Sequence, residues 1–395
     1  MVVSNLIWSH SVITRRLLLL TAAIAVIGAN SLALSPIAAS VAVAFPGRSA
    51  ADVMTAAAFY GLATAASALL LAAMADRIGA ERALVRALWV LCVSLGLAAL
   101  APALWVLIAA QALAGVAAGM ALPAIYTLTA QVAAKGRESQ TLSFVLTGWT
   151  LSLVVGVGLA ALLTDLLQWR AVFAVLALAA LVLAFGVARC GEWGSVVRSK
   201  EPTSPLTALR VPGVPAVLIN VAAYMTAFYG LYTYLGPYLG EVLQLPVSFS
   251  GLAIAVYGVG FGVAAPLGRW VDRHETGTVA CMVFAGLIVV YLGLAAVAAL
   301  PLLLLVLCLG WGVGNHLGLN LLLRRLGELD SAQRGAIMGL YSAITYLCVF
   351  AGALLYRPIF THHGFAACAW ASAMLVLPAL GWGLGQWRRK QTALE

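Results

Sequence analysis

Residues 17–45 read LLLLTAAIAVIGANSLALSPIAASVAVAF, an uninterrupted run without a charged side chain. About 20 mostly apolar residues are enough for an α-helix to cross the hydrocarbon core of a bilayer. The run follows Arg15-Arg16, as in a secretory signal, but it is too long for the apolar region of a signal that is cleaved. It therefore predicts a first membrane span.

The composition extends this prediction to the whole chain. Of the 395 residues, 64% are hydrophobic and 9% are charged, whereas soluble domains are about 45–50% apolar and about 25% charged. Apolar runs of this length exclude barrel strands, which alternate over about ten residues. The sequence predicts an all-α membrane protein, and in a bilayer the net charge of +9 reflects topology rather than binding to nucleic acid.

Hydropathy, interrupted by charges, prolines and glycines, divides the chain into twelve predicted transmembrane helices. They are placed at residues 17–43, 52–75, 84–101, 104–132, 140–163, 170–188, 214–240, 250–271, 278–299, 302–323, 335–356 and 365–386.

The distribution of basic residues predicts the orientation of these spans. With the N-terminus inside, every Lys and Arg except Arg48, Arg170 and Arg357 falls on the cytoplasmic side. Cytoplasmic loops are enriched in Lys and Arg, so we expect a multi-pass protein of the cytoplasmic (inner) membrane with both termini in the cytoplasm.

The longest polar stretch, from Cys190 to Pro215, lies in the middle of the chain. It predicts a linker at 191–213 between an N-terminal six-helix bundle at 1–190 and a C-terminal one at 214–395. An Asp-Arg pair follows the second span of each half, at Asp76 and at Asp272, as internal duplication predicts.

Several motifs resemble the major facilitator superfamily, and within it the bacterial sugar and drug efflux permeases that act as proton antiporters. The loop between spans 2 and 3 of that family reads roughly G-x-x-x-D-R-x-G-R, which Asp76, Arg77 and Gly79 match while Ala72 and Ala80 depart from it. The second half repeats the pattern at Gly268, Asp272 and Arg273. Further similar stretches are TGWTLSLVVGVG at 147–158, Trp169-Arg170, and YTYLGPYL at 232–239.

The resemblance implies a twelve-helix transporter with two pseudo-symmetric bundles and a mid-membrane site between them. It also implies a monomer. Two departures bear on proton coupling, because Gly158 replaces the usual proline of the antiporter helix and Gln111 replaces an arginine commonly tied to coupling.

The six matching loop residues are the predicted cytoplasmic gate: Asp76, Arg77, Gly79, Gly268, Asp272 and Arg273. A carboxylate near a helix N-terminus gains about 0.3–1 kcal/mol, so Asp76 can latch onto the start of span 11 and Asp272 onto the start of span 5. The alternative is that these residues only set topology. We expect Asp76→Asn to abolish transport without loss of folded protein.

None of the 13 acidic residues lies in the middle of a span, whereas His316 lies deep in span 10. An imidazole with an ordinary pKa of about 6.5 can exchange a proton near neutral pH. We predict His316 as the proton-coupling residue, and the alternative is a neutral, hydrogen-bonded histidine. A glycine ladder at Gly310, Gly314 and Gly318 is expected to pack tightly on a neighbouring helix.

Neutral polar residues in the spans that line the cavity of this superfamily are the predicted substrate pocket. With His316 they are Asn30, Gln111, Asn220, Tyr224, Tyr232 and Asn320. Each also fits a role in helix–helix hydrogen bonding. Aromatic residues of span 7 favour flat or amphipathic molecules, or cations by attraction to ring faces.

No phosphate-binding loop, metal-ligand spacing or nucleophile motif stands out, so we expect no enzyme, cofactor or metal. The sequence predicts a secondary active transporter that exports a small organic molecule, such as a drug, sugar or metabolite, in exchange for protons. The alternatives are an uptake carrier or uncoupled facilitator of a polar metabolite, and a membrane sensor that transports nothing. Substrate, direction and coupling stoichiometry stay open.

Overall fold

The computed structural model describes residues 2–71, 78–134, 137–190, 193, 205–267, 274–330 and 333–394. Within those ranges, eleven helices are long and apolar enough to cross a membrane. The last of them, Arg334–Leu394, is interrupted at Gly364, where φ is 77°. Only glycine adopts this left-handed region without steric cost, so the chain bends there and the helix contributes two crossing segments.

The first bundle contains helices α1 to α6. They are α1 (Val2–Val43), α2 (Ala50–Leu70), α3 (Ala80–Ala99), α4 (Leu104–Val132), α5 (Glu138–Leu151, a π-helical turn at Ser152–Gly156, then Val157–Leu166) and α6 (Trp169–Ala188).

The second bundle contains helices α7 to α12. They are α7 (Val214–Pro237, then a π-helical turn at Tyr238–Val242), α8 (Val247–Val263), α9 (Thr276–Ala296), α10 (Pro301–Leu329), and α11 and α12 on either side of Gly364 at 334–363 and 365–394.

These helices confirm the predicted all-α architecture of twelve crossing segments. The main differences lie at helix ends. Helices α2 and α8 end at Leu70 and Val263 rather than at 75 and 271. Helix α1 begins at Val2 rather than 17, and α10 continues to Leu329 rather than 323. Hydropathy locates the lipid-immersed part of a helix, and polar helical turns beyond it carry no such signal.

The apolar side chains form two large clusters, each made up mostly of residues from one bundle, and each also includes a few side chains of the other bundle, such as Leu153 and Tyr346. The bundles meet mainly along three pairs of helices, which are α1 with α7, α2 with α11, and α5 with α8, and smaller contacts join α1 with α8 and α2 with α7. Large apolar side chains such as Leu178, Val182 and Met374 remain exposed on the outside of the bundle, as expected of a surface that faces lipid.

Because consecutive helices alternate in direction, the loops fall at two ends of the molecule. The end that carries residues 44–49, 167–168, 243–246 and Gly364 is called the Asp52 end below. The opposite end carries Arg189, Cys190 and residues 205–213 and is called the linker end. At the Asp52 end, Ser49 begins α2 with a capping box, in which its side chain accepts from the Asp52 N–H and the Asp52 carboxylate accepts from the Ser49 N–H.

Candidate functional site

Two predicted pocket residues of the first bundle bind each other. The Asn30 side-chain amide of α1 donates to Gln111 Oε1 of α4 at 3.1 Å, and Gln111 Nε2 donates to Asn30 Oδ1 at 3.2 Å. Both side chains are buried. Reciprocal amide pairing satisfies polar groups that would otherwise be costly in an apolar interior, so this pair holds α1 against α4.

The centre of the second bundle contains aromatic rings instead. Phe228 of α7 stacks on Tyr257 of α8, with ring centroids 5.5 Å apart and an interplanar angle of 20°. Tyr232 and Trp311 lie 5.5 and 5.6 Å from the same Phe228 ring. Phe228 is the one half-buried ring among these four, and the other three are buried.

Hydrogen bonds fix the position of these rings. Asn315 Nδ2 donates to the Tyr257 hydroxyl at 3.1 Å, and the Tyr224 hydroxyl donates to the backbone carbonyl of Asn315 at 2.5 Å. The Trp311 indole donates to the Tyr291 hydroxyl at 3.1 Å. Sequence reasoning missed Asn315, although a neutral amide inside an apolar helix is the signal that selected Asn320 five residues later.

His316 lies where α10 contacts α8. Its ring is half-buried and meets Phe261 edge to face, with centroids 4.7 Å apart. Nδ1 is buried and has no hydrogen-bond partner among the residues that the structure describes. An unpartnered buried nitrogen is costly. His316 therefore stands to gain from a ligand or a proton, and the neighbouring Asn315, whose Oδ1 is also buried without a described partner, stands to gain from a ligand as well.

The glycines of α10 explain this placement. Gly314 packs on Leu287 of α9, and Gly318 packs between Tyr224 and Phe284. The expected close packing of the ladder is therefore present and involves mainly α9. Gly312 instead fits against the backbone of α8 at Tyr257, which leaves His316, one turn further along α10, beside Phe261.

The other predicted pocket residues have protein partners or partial burial. Asn220 donates from Nδ2 to the Ala216 carbonyl of its own helix at 3.0 Å. The Tyr232 hydroxyl crosses between the bundles and donates to the Leu32 carbonyl of α1 at 3.0 Å. Asn320 is half-buried on α10. Their role in binding a substrate stays a prediction.

Polar contacts join the two bundles at the Asp52 end. Asp52 of α2 forms an ion pair with Arg357 of α11. Ser35 of α1 donates to the Tyr232 carbonyl of α7 at 2.8 Å. Gly236 fits so closely against Ser35 that a Cβ at this glycine would overlap the Ser35 carbonyl. This end of the interface between the bundles is therefore closed.

The predicted gate falls mostly beyond the described ranges. Asp76, Arg77, Gly268, Asp272 and Arg273 lie outside the described residues. Gly79 is described and precedes α3 with φ of 90°, a conformation that favours glycine. Its role in gating stays a prediction.

In the part of the chain that the structure describes, no three His, Cys, Asp or Glu side chains stand close enough to hold a metal ion. Every carboxylate with a described side chain lies within three residues of a helix end. The polar chemistry of the helix interiors thus comes from amides, hydroxyls and His316.

Residues 17–353 match the family model of the Major Facilitator Superfamily. The chain is 28% identical over 362 residues to the uncharacterized MFS-type transporter YwfA of Bacillus subtilis (strain 168), an alignment that covers 89% of this chain and 86% of that protein.

Two solved structures share the fold. The crystal structure of a D-xylose-proton symporter matches with a TM-score of 0.76 at 14% identity, over 95% of this chain and 97% of that one. The crystal structure of the human organic anion transporter MFSD10 (TETRAN) matches with a TM-score of 0.69 at 16% identity, over 95% and 99%.

Proposed function

Because the chain belongs to the Major Facilitator Superfamily, whose members are transporters and not enzymes, we propose that it exports a small organic molecule in exchange for protons. The substrate site lies between the two bundles and opens to one side of the membrane at a time. The bundles themselves are assigned to residues 1–190 and 214–395, with 191–213 as the linker.

The closed Asp52 end is the observation that carries this proposal. An alternating-access carrier needs an interface between its bundles that closes at one end while the other admits the substrate. The ion pair between Asp52 and Arg357, and the contact of Gly236 with Ser35, supply such a closure. With both termini in the cytoplasm of a bacterial cell, the closed end faces outward and the site is loaded from inside.

The second bundle supplies the substrate contacts in this proposal. The half-buried Phe261 ring meets His316, whose Nδ1 has no partner among the described residues. The half-buried Phe228 ring stacks on Tyr257, whose ring centroid lies 6.3 Å from that of Phe261. Rings of this kind stack on flat organic molecules, and His316 supplies one polar contact. Asn30 and Gln111 already satisfy each other, so in this state they shape the first bundle's side of the site.

His316 is the proposed proton carrier. A proton that binds Nδ1 gives the site a positive charge, and a substrate that occupies the site favours its release. One charge that crosses 100 mV supplies about 2.3 kcal/mol, which sustains roughly a 40-fold substrate gradient because about 1.4 kcal/mol is a factor of ten.

The test is accumulation of a compound panel in pump-deficient bacterial cells that express the protein. The panel contains a cationic dye, an uncharged aromatic antibiotic, an aromatic carboxylic acid and a pentose. Lower accumulation that an uncoupler reverses, and that Asp76→Asn abolishes at equal membrane abundance, supports driven export. Unchanged accumulation across the panel contradicts the export of these classes.

A second candidate is uptake or uncoupled facilitation of a polar metabolite. The observation in its favour is the position of the described carboxylates at helix ends, which leaves the acidic proton carrier of many antiporters without a counterpart there. In this case accumulation rises on expression, and a pH gradient leaves the initial rate of a facilitator unchanged.

A further inference from the structure

Besides Asp52, which pairs with Arg357, two further carboxylates cross between the bundles at the Asp52 end. Glu241, on the π-helical turn that ends α7, accepts a hydrogen bond from the backbone N–H of Ala50 at 2.6 Å. Asp165, in the last turn of α5, accepts one from the backbone N–H of Ser248 at 2.7 Å. Each carboxylate thus reaches the first turn of a helix in the opposite bundle.

The two residues that donate these hydrogen bonds occupy equivalent places in the two bundles. Ala50 begins α2, the second helix of the first bundle, and Ser248 is the second residue of α8, the second helix of the second bundle. The first N–H groups of a helix have no partner within that helix, and they attract negative charge. The two bundles therefore exchange the same kind of contact.

Local sequence explains why each helix depends on its neighbour. The N-cap of α8 is Pro246, whose side chain has no atom that accepts a hydrogen bond, so Asp165 supplies the missing acceptor. The N-cap of α2 is Ser49, which accepts from the Asp52 N–H. That bond leaves the N–H of Ala50 to Glu241.

The surroundings place both contacts on one groove along the seam of the bundles. The groove has a volume of about 500 Å³, and its lining includes Asp165, Glu241 and Arg48. The attraction between a carboxylate and an exposed helix N-terminus is worth about two- to fivefold in an equilibrium constant, so each carboxylate stabilises the closed arrangement by a modest amount.

We propose that Asp165 and Glu241 are a matched pair of helix caps between the bundles. Each caps the N-terminus of a helix in the opposite bundle, and together they hold the Asp52 end closed. The proposal rests on the alternating-access cycle proposed above. It gives the π-helical turn at Tyr238–Val242 a role, because this turn presents Glu241 to α2. A further consequence is that opening removes both caps together.

The test measures distances across the Asp52 end by double electron–electron resonance on the full-length protein in nanodiscs. Spin labels replace Val43 of α1 and Leu302 of α10, which are 86% and 75% exposed, after serine replaces the half-exposed cysteines Cys92, Cys190 and Cys281. A short distance reports the closed end and a long one the open end.

We expect Asp165→Asn and Glu241→Gln each to raise the ratio of open to closed protein about threefold, and the double variant about tenfold, since separate caps act additively. Glu275→Gln is the matched control. This carboxylate also stands at a helix N-terminus, but it accepts from Thr278 of its own helix, so its loss leaves the distances unchanged.

Pro246→Ser sharpens the test because Pro246 already has the extended backbone of an N-cap, with φ of −61° and ψ of 153°. A serine there caps α8 from within its own bundle. In this background we expect Asp165→Asn to have less than half of its effect, and Glu241→Gln to keep all of its own.

Unchanged distances in the double variant, or an equal shift in Glu275→Gln, would overturn the proposal. The distance measurement needs no substrate, so it tests the helix caps independently of the proposed export. Shifted distances in a protein that moves no compound support the caps and contradict export, whereas export with unshifted distances contradicts the caps alone.

Discussion

The two bundles share a helix arrangement and differ in the chemistry of their centres. In the first, Asn30 and Gln111 satisfy each other. In the second, Tyr257 and Trp311 surround a half-buried Phe228, and His316 keeps a buried nitrogen without a described partner. Both bundles thus have an apolar packed core, while the second one places His316 beside an aromatic ring.

The largest effect is expected where the bundles meet. Gly236→Ala places a methyl group on the Ser35 carbonyl and prevents the Asp52 end from closing. Overpacking costs about 1–3 kcal/mol, so we expect transport to fall about 10- to 100-fold while the purified protein keeps its thermal midpoint within a few degrees. The measurement is initial flux in proteoliposomes.

Gly286→Ala is the control for this variant, because a Cβ there has no atom within 4 Å. If Gly236→Ala transports as fast as Gly286→Ala, the closed Asp52 end is not a working state of the carrier.

The next effect concerns proton coupling, which we propose for His316 of the second bundle. His316→Gln removes the titratable group and keeps a polar side chain, so the substrate gradient at 100 mV should fall from roughly 40-fold toward equality. The dependence of flux on pH between 5 and 8 should flatten. His363→Gln, on an exposed residue near Gly364, should change neither quantity. A His316→Gln protein with an unchanged pH profile would remove His316 from the coupling mechanism.

A smaller effect, on stability, is expected in the first bundle. Asn30→Leu leaves the buried Gln111 amide unpaired and should lower the free energy of unfolding by about 1–3 kcal/mol. The double variant with Gln111→Met removes both polar groups and should recover part of this loss. Denaturation in detergent measures both. A double variant that loses the sum of the single losses would show that the amides act independently.

The smallest effect concerns the ring beside His316. Phe261→Leu keeps an apolar side chain and removes an aromatic face, which is worth about 0.5–1.5 kcal/mol. We expect KM for an aromatic substrate to rise about threefold, with kcat and the KM of a sugar unchanged. An equal change for both kinds of compound would indicate general repacking of α8.

The sequence predicted the helices well because apolar length is a local property. Span 4 at 104–132 agrees with α4 at both ends, and span 7 begins at residue 214 as predicted. Charges, prolines and glycines interrupt hydropathy at the loops, so the number and order of the helices needed no tertiary information, whereas several helix ends, such as the start of α1 at Val2, were not predicted.

The hydrogen-bond and ion-pair partners of the polar residues could not be predicted from such local properties. Asn30 and Gln111 are 81 residues apart, and Asp52 and Arg357 are 305 apart, so only the packed bundles bring them together. The π-helical turns of α5 and α7 leave no periodicity signal in an apolar stretch. Asn315 differs, because its position inside α10 was visible in the sequence.

Counter-transport in proteoliposomes tests the central claim most directly. Vesicles that contain a pH-sensitive dye are loaded with the panel compound whose accumulation in cells is lowered most, and its outflow is started by dilution. We predict that protons enter as the compound leaves, and that His316→Gln abolishes this proton entry. Protons that leave together with the compound, or no proton movement during rapid outflow, would contradict export by proton antiport.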